Sequence, residues 1–135
     1  MLSGRLELAD LAAAFAERVH AYLGLEVSDV RDGVLQDMHW ADLTFGYFPT
    51  YSLGNVISVQ IWDRARADLP DLDRALEQGE YQDLRDWLRE HLHRHGRKFT
   101  PRETLVRAAG SEIDPEPYVR YLKGKLGEVA GVAVS

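Results

Sequence analysis

Between Gly33 and Trp62 the chain runs for thirty residues with only two charges, Asp37 and Asp42, although 28% of all its residues are charged. A stretch so poor in charge has to enter a core, cross a membrane or meet a partner. Its uncharged part, 43–62, is twenty residues long, enough for a helix to span a bilayer. It contains Gly46, Pro49, Thr50, Ser52, Gly54, Asn55, Ser58 and Gln60, which is too polar for a lipid-facing helix. No membrane association is expected. The stretch reads instead as the polar-aromatic centre of the fold, carrying His39, two of the three tryptophans and two of the six tyrosines.

The rest of the chain supplies helices around it. From Leu6 to Leu23, Leu8, Leu11, Phe15, Val19, Tyr22 and Leu23 recur at spacings of three and four, the period of an amphipathic helix. Asp10 is placed to cap its start and Gly24 to end it. A buried helix is expected from about Tyr51 to Arg66, apolar nearly all round, with Pro49 near its start and Gly54 allowing another backbone to approach. A short helix follows over 71–78. An amphipathic one is expected from Tyr81 to His95, with Tyr81, Leu84, Leu88 and Leu92 on one face and Trp87 beside it. Thr100, Pro101 and Glu103 have the spacing of a capping box, opening a helix to Ala109. Asp114-Pro115-Glu116-Pro117 opens a last helix carrying Tyr118, Tyr121, Leu122 and Lys125, with a frayed tail from Val129 to Ser135. No alternating strand pattern occurs. The expected fold is all-α, with five or six packed helices in a single domain or fragment covering 1–135. Its motif region is 33–62 and its C-terminal helices lie within 71–126.

Composition removes several functions. A net charge of −6 lacks the basic footprint of a nucleic-acid binder. Without cysteine there is no disulfide, thiolate nucleophile or Cys-type zinc site, which suits a reducing cytoplasm. No signal peptide is expected from the opening, since Met1-Leu2-Ser3-Gly4-Arg5 leads abruptly into charged helical sequence.

Metal chemistry is most tempting at His91-Leu92-His93-Arg94-His95, where two imidazoles four apart would share a helical face. A zincin motif needs Glu directly after its first His, and Leu92 stands there. Two imidazoles also fall short of a catalytic zinc set, so a solvated helix end is the favoured reading and no metal site is expected. Ser52, Ser58 and Ser111 lack the glycine-flanked turn of a nucleophilic serine. What remains is Gln36-Asp37-Met38-His39-Trp40 and Gly46 to Tyr51. These offer imidazole and phenol donors for a developing oxyanion, Asp37 to orient His39, and Gln36 or Asn55 to hold peptide groups. Residue types alone favour a buried aromatic corner with its polar tips satisfied by backbone.

The sequence itself carries a more specific signal. Gly33-Val34-Leu35-Gln36-Asp37-Met38-His39-Trp40 matches every fixed position of G-x-x-Q-D-x-H-W, and Phe45 to Asn55 reads F-G-Y-F-P-T-Y-x-L-G-N. These stretches resemble the Taq-type thermostable carboxypeptidases, metal-dependent exopeptidases of the zincin class. Weaker similarity extends over Leu2 to Leu11, Trp87 to Gly96 and Tyr118 to Lys125. The resemblance implies the C-terminal part of a larger helical peptidase fold, starting after the half that holds the HExxH helix, the third metal ligand and the substrate-carboxylate arginine. It implies a divalent metal, zinc or cobalt, in the full-length enzyme and none in this chain, which alone would be inactive and hold no catalytic residue. It places His39 as a donor to substrate or oxyanion, Tyr47 and Tyr51 as phenol candidates, and Gln36, Asp37 and Trp40 as support. Peptide C-termini would be the substrates. Ala41-Asp42-Leu43-Thr44 departs from the small, glycine-containing sequence usual in the family.

Two further readings stand beside this one. The chain could be a stand-alone, non-catalytic interaction module that pairs with itself or with a separate metal-bearing subunit. Aromatic surface around Trp40, Phe45, Phe48 and Trp62 would then be uncovered, and a homodimer would bury it. The outsider is a small metal-binding protein using His91, His93 and His95.

Overall fold

A computed structural model describes residues 3–131. The described residues form α-helices and 3-10 turns joined by loops, without strands, and fall into two compact units, Met1–Pro49 and Thr50–Ser135. The opening Met1-Leu2 and the expected frayed tail over 132–135 lie outside the described residues.

The first unit begins with a 3-10 turn, Leu8–Asp10, that runs into α1, Leu11–Leu23. Asp10 occupies the N-cap position but its side chain makes no capping bond. Gly24 ends α1 in the left-handed conformation, φ 68°, with its N–H on the His20 carbonyl. Three short 3-10 turns follow, Val30–Asp32, Val34–Gln36 and Met38–Asp42. Their sequence has no 3.6-residue period, so nothing in the apolar pattern announces them. Asp29 caps the first, accepting from the Arg31 N–H at 2.8 Å. Asp37 caps the third.

The second unit is built on α2, Pro49–Asp68. Pro49 stands at its first position, where no amide hydrogen is needed. The expected fully buried helix is not what forms: only Gln60 and Ala65 are buried along α2, and Tyr51 and Leu53 face solvent. The reason is where its neighbours pack. Leu69, Leu72, Leu76, Leu84, Trp87 and Leu88 gather on Ile61, Trp62 and Ala65, so the C-terminal turns are covered and the N-terminal ones are not. Gly54 has the same explanation. A Cβ there would meet no described atom within 4 Å, so no described backbone approaches this glycine.

The helix α3, Leu72–Glu77, precedes α4, Gln82–His91. The apolar face of α4 is centred on Trp87, Leu84 and Leu88, while Tyr81 is exposed before the first turn. That helix also stops short of His95. Leu92 leaves the helical region at φ −125°, and His93–His95 form a separate 3-10 turn.

At α5, Pro101–Ala109, the capping box forms as the spacing predicts. The Thr100 hydroxyl receives the Glu103 N–H at 3.3 Å, and the Glu103 carboxylate receives the Thr100 N–H at 2.9 Å. Gly110 closes α5 at φ 84°, and α6 runs over Glu116–Ala130. Gln60 ties α2 to the segment between α5 and α6. Its amide donates to Ser111 Oγ at 3.1 Å and to the Glu112 carbonyl at 2.9 Å, and its Oε1 accepts the Asp114 N–H at 3.1 Å. A buried amide with three such partners is satisfied, and so costs little to bury.

Asp68 Oδ2 accepts from Trp87 Nε1 and from Arg64 Nε, each at 3.0 Å. The Trp87 bond first, and Arg64 second, hold its carboxyl below the ordinary aspartate range. A depressed folded value means the stabilisation is present above the unfolded pKa and is lost as pH falls through the folded one. The expected outcome is a urea midpoint that drops as pH goes below about 4. An Asp68→Asn variant should show a smaller drop over the same window. Equal drops in the two proteins would contradict the assignment.

Candidate functional site

His39 sits in the 3-10 turn Met38–Asp42, and its ring and backbone are both held. Asp37 Oδ1 lies 2.8 Å from His39 Nδ1 and also accepts the His39 N–H at 3.2 Å. The carboxylate thus caps the turn and orients the ring at once. At the other end, the His39 carbonyl accepts from the Thr44 N–H at 3.0 Å and the Thr44 hydroxyl at 2.8 Å. Leu43, left-handed at φ 59°, carries the chain round between them. The side chains of Asp37 and His39 are only 12% and 20% exposed.

The bond to a carboxylate assigns a proton to Nδ1. Nε2 therefore accepts in the neutral ring and donates only when the ring holds both protons. A donor at Nε2 would then be the imidazolium, with Asp37 as its counter-charge.

Aromatic rings pack around it. Tyr47 lies 4.9 Å from the His39 ring, centroid to centroid, and Phe48 lies 5.6 Å away, both tilted. Trp40 turns to Phe45 at 5.8 Å and borders a hollow shared with Leu11, Phe15 and Arg18 of α1. Gln36 donates to the Arg31 carbonyl, so it braces the preceding turn. Tyr51 belongs to the second unit, exposed on the first turns of α2. Within the first unit, the phenol set against His39 is that of Tyr47.

Gly33 explains the start of the motif. It is buried, and a Cβ there would lie 2.7 Å from Val27 Cγ1 and 3.8 Å from Phe15 Cδ1. Val27 is β-branched and has little rotamer freedom to retreat. Gly33→Ala should therefore destabilise the first unit by about 1–3 kcal/mol, read as an earlier loss of its far-UV signal on heating. An unchanged melting curve would show that Val27 yields freely.

A sequence profile of the family described as Carboxypeptidase Taq (M32) metallopeptidase matches residues 1–126. The chain belongs to this family. Thermostable carboxypeptidase 1 of Thermus thermophilus is 39% identical over 131 residues, covering 97% of this chain and 26% of that protein. Carboxypeptidase 1 of Bacillus subtilis is 34% identical, with 93% and 25% covered. The crystal structure of a carboxypeptidase of the same family from Deinococcus radiodurans superposes with a TM-score of 0.85 at 41% identity, over 97% of this chain and 27% of that one. The chain thus spans about a quarter of the length of the relatives it matches.

Membership of a metallopeptidase family implies a divalent metal in the full-length enzymes. The donors present here do not fit one: among the described residues no group of three or more His, Cys, Asp or Glu side chains converges. The end of α4 separates His91 from the 3-10 turn that carries His93 and His95. His91 stacks on Trp87 at 4.3 Å with Nδ1 2.8 Å from the Trp87 carbonyl, and His95 turns to Phe99 at 5.5 Å. No helix among the described residues is long and apolar enough to cross a membrane.

Proposed function

We propose that this chain acts as the C-terminal portion of a metal-dependent carboxypeptidase that removes residues from the C-termini of peptides. Its part is one wall of the substrate groove and donors for the transition state. The metal, zinc or cobalt, is assigned to the remainder of the enzyme, and the compartment to the cytoplasm. The observation that carries this reading is the Asp37–His39 pair at 2.8 Å with the Tyr47 ring beside it, inside a chain of a carboxypeptidase family.

In that role Asp37 holds the His39 ring in place and balances its charge. The imidazolium Nε2–H donates to the scissile carbonyl oxygen as negative charge develops on it. Tyr47 adds a phenol of similar reach, with Tyr51 as the second candidate. Gln36 and Trp40 keep the backbone around His39 rigid, so the donor is placed before substrate arrives. The test is to join this chain to the preceding three quarters of the Thermus thermophilus relative and to follow hydrolysis of a blocked dipeptide. Chelator-sensitive turnover by the joined enzyme, and none by the 135-residue chain with added zinc or cobalt, is the expected result. Turnover by the chain alone would overturn the proposal.

A second reading draws on surface. Leu43, Phe45, Tyr47 and Phe48 are all exposed, an apolar run of the kind that partners cover. A non-catalytic module would pair through it with a second copy or with a separate metal-bearing subunit. Light scattering of the purified chain distinguishes the cases: a dimer dispersed by Phe48→Ser supports pairing, and a monomer at all concentrations contradicts self-association.

A further inference from the structure

Asp42 is one of only two charges between Gly33 and Trp62, and the two are used differently. Asp37 is taken up by His39. Asp42 is exposed, and its carboxylate makes no hydrogen bond or ion pair with another described residue.

Its position follows from the backbone. His39 and Asp42 are three apart in the 3-10 turn Met38–Asp42. Such a helix has three residues per turn and rises about 2 Å per residue, so positions i and i+3 eclipse, roughly 6 Å apart along the axis. The turn is also fixed at its end, since the Leu43 and Thr44 N–H groups and the Thr44 hydroxyl all close back onto it. An uncompensated carboxylate therefore stands on the same face as His39, one turn further on.

We infer that Asp42 sets a charge preference in the groove: peptides with a lysine or arginine beside the scissile bond are favoured over those with glutamate or aspartate. The inference rests on the proposed function, because it takes His39 as the point where substrate is held. A cationic side chain within about one turn of Asp42 is attracted, and an anionic one repelled, through partly solvated space. An exposed pair of this kind changes an equilibrium by a few-fold, and salt screens it.

The joined enzyme described above supplies the test. Values of kcat/KM are measured for matched blocked dipeptides carrying Lys or Glu, at about 20 mM and 1 M salt, for wild type, Asp42→Asn and Asp42→Lys. The expected Lys-to-Glu ratio falls about three- to tenfold on Asp42→Asn at low salt, falls further on Asp42→Lys, and differs little among the three at high salt. An active enzyme whose ratio ignores both substitutions overturns the role of Asp42 and leaves the proposed function standing. A folded, metal-loaded joined enzyme with no turnover overturns the proposed function and this inference with it.

Discussion

Replacing Trp87 by Ala should cost the second unit about 3–5 kcal/mol, the range for emptying a buried large aromatic site. Trp87 is 7% exposed and forms the core cluster with Ala65 and Leu72. Neither of those residues is large enough to refill the space. The indole also does polar work: its Nε1–H donates to Asp68 and the His91 ring stacks on its face at 4.3 Å. The substitution would leave Asp68 to Arg64 alone and remove the surface on which His91 lies. Domains of this size commonly have only 5–15 kcal/mol of stability. The variant should therefore unfold at markedly lower urea, with the midpoint shifted on the order of 2–3 M. Trp87→Phe should fall between the two, since it keeps most of the packing and loses the donor. A Trp87→Ala protein within about 1 kcal/mol of wild type would mean that the cluster on α2 is not the core of this unit.

The second large effect is on catalysis. In the joined enzyme, His39→Ala should lower kcat by about a hundred- to a thousandfold, the loss typical of one oxyanion donor. KM should change much less, because the bond strengthens as charge develops in the transition state. Far-UV signal should stay near wild type, since the backbone of the turn is held by the Asp37 cap and by the Thr44 N–H and hydroxyl, none of which needs the His39 ring. A variant with kcat within threefold of wild type would place His39 outside the chemistry.

Local chemistry is what the sequence displayed most legibly. The capping box at Thr100–Glu103, the glycine stops at Gly24 and Gly110, and the all-helical class all follow from short-range rules that need no partner. The elements that escaped depend on distant residues. Gln60 is a polar position in an apolar run, and its partners lie more than fifty residues away, so no spacing could announce its burial. The exposed half of α2 escaped for the opposite reason: Tyr51 and Leu53 look like core until one knows which turns the leucines of α3 and α4 reach. The end of α4 at His91 comes where Leu92 leaves the helical region at φ −125°, a break that the helical pattern does not show. At the candidate site, residue types alone favoured packing over chemistry. The motif supplied the family, Asp37 was already expected to orient His39, and the structure sets the two side chains 2.8 Å apart, which gives the proposed donor its logic.

That logic is open to one direct measurement. A phosphonate dipeptide analogue mimics the tetrahedral intermediate, and its inhibition constant can be compared between the joined wild-type enzyme and its His39→Ala variant. If His39 faces the developing oxyanion, binding of the analogue should weaken by about the same factor as kcat/KM falls, on the order of a hundredfold or more. Equal inhibition of the two enzymes would contradict the account, leaving His39 a packed and well-ordered histidine with no part in the groove.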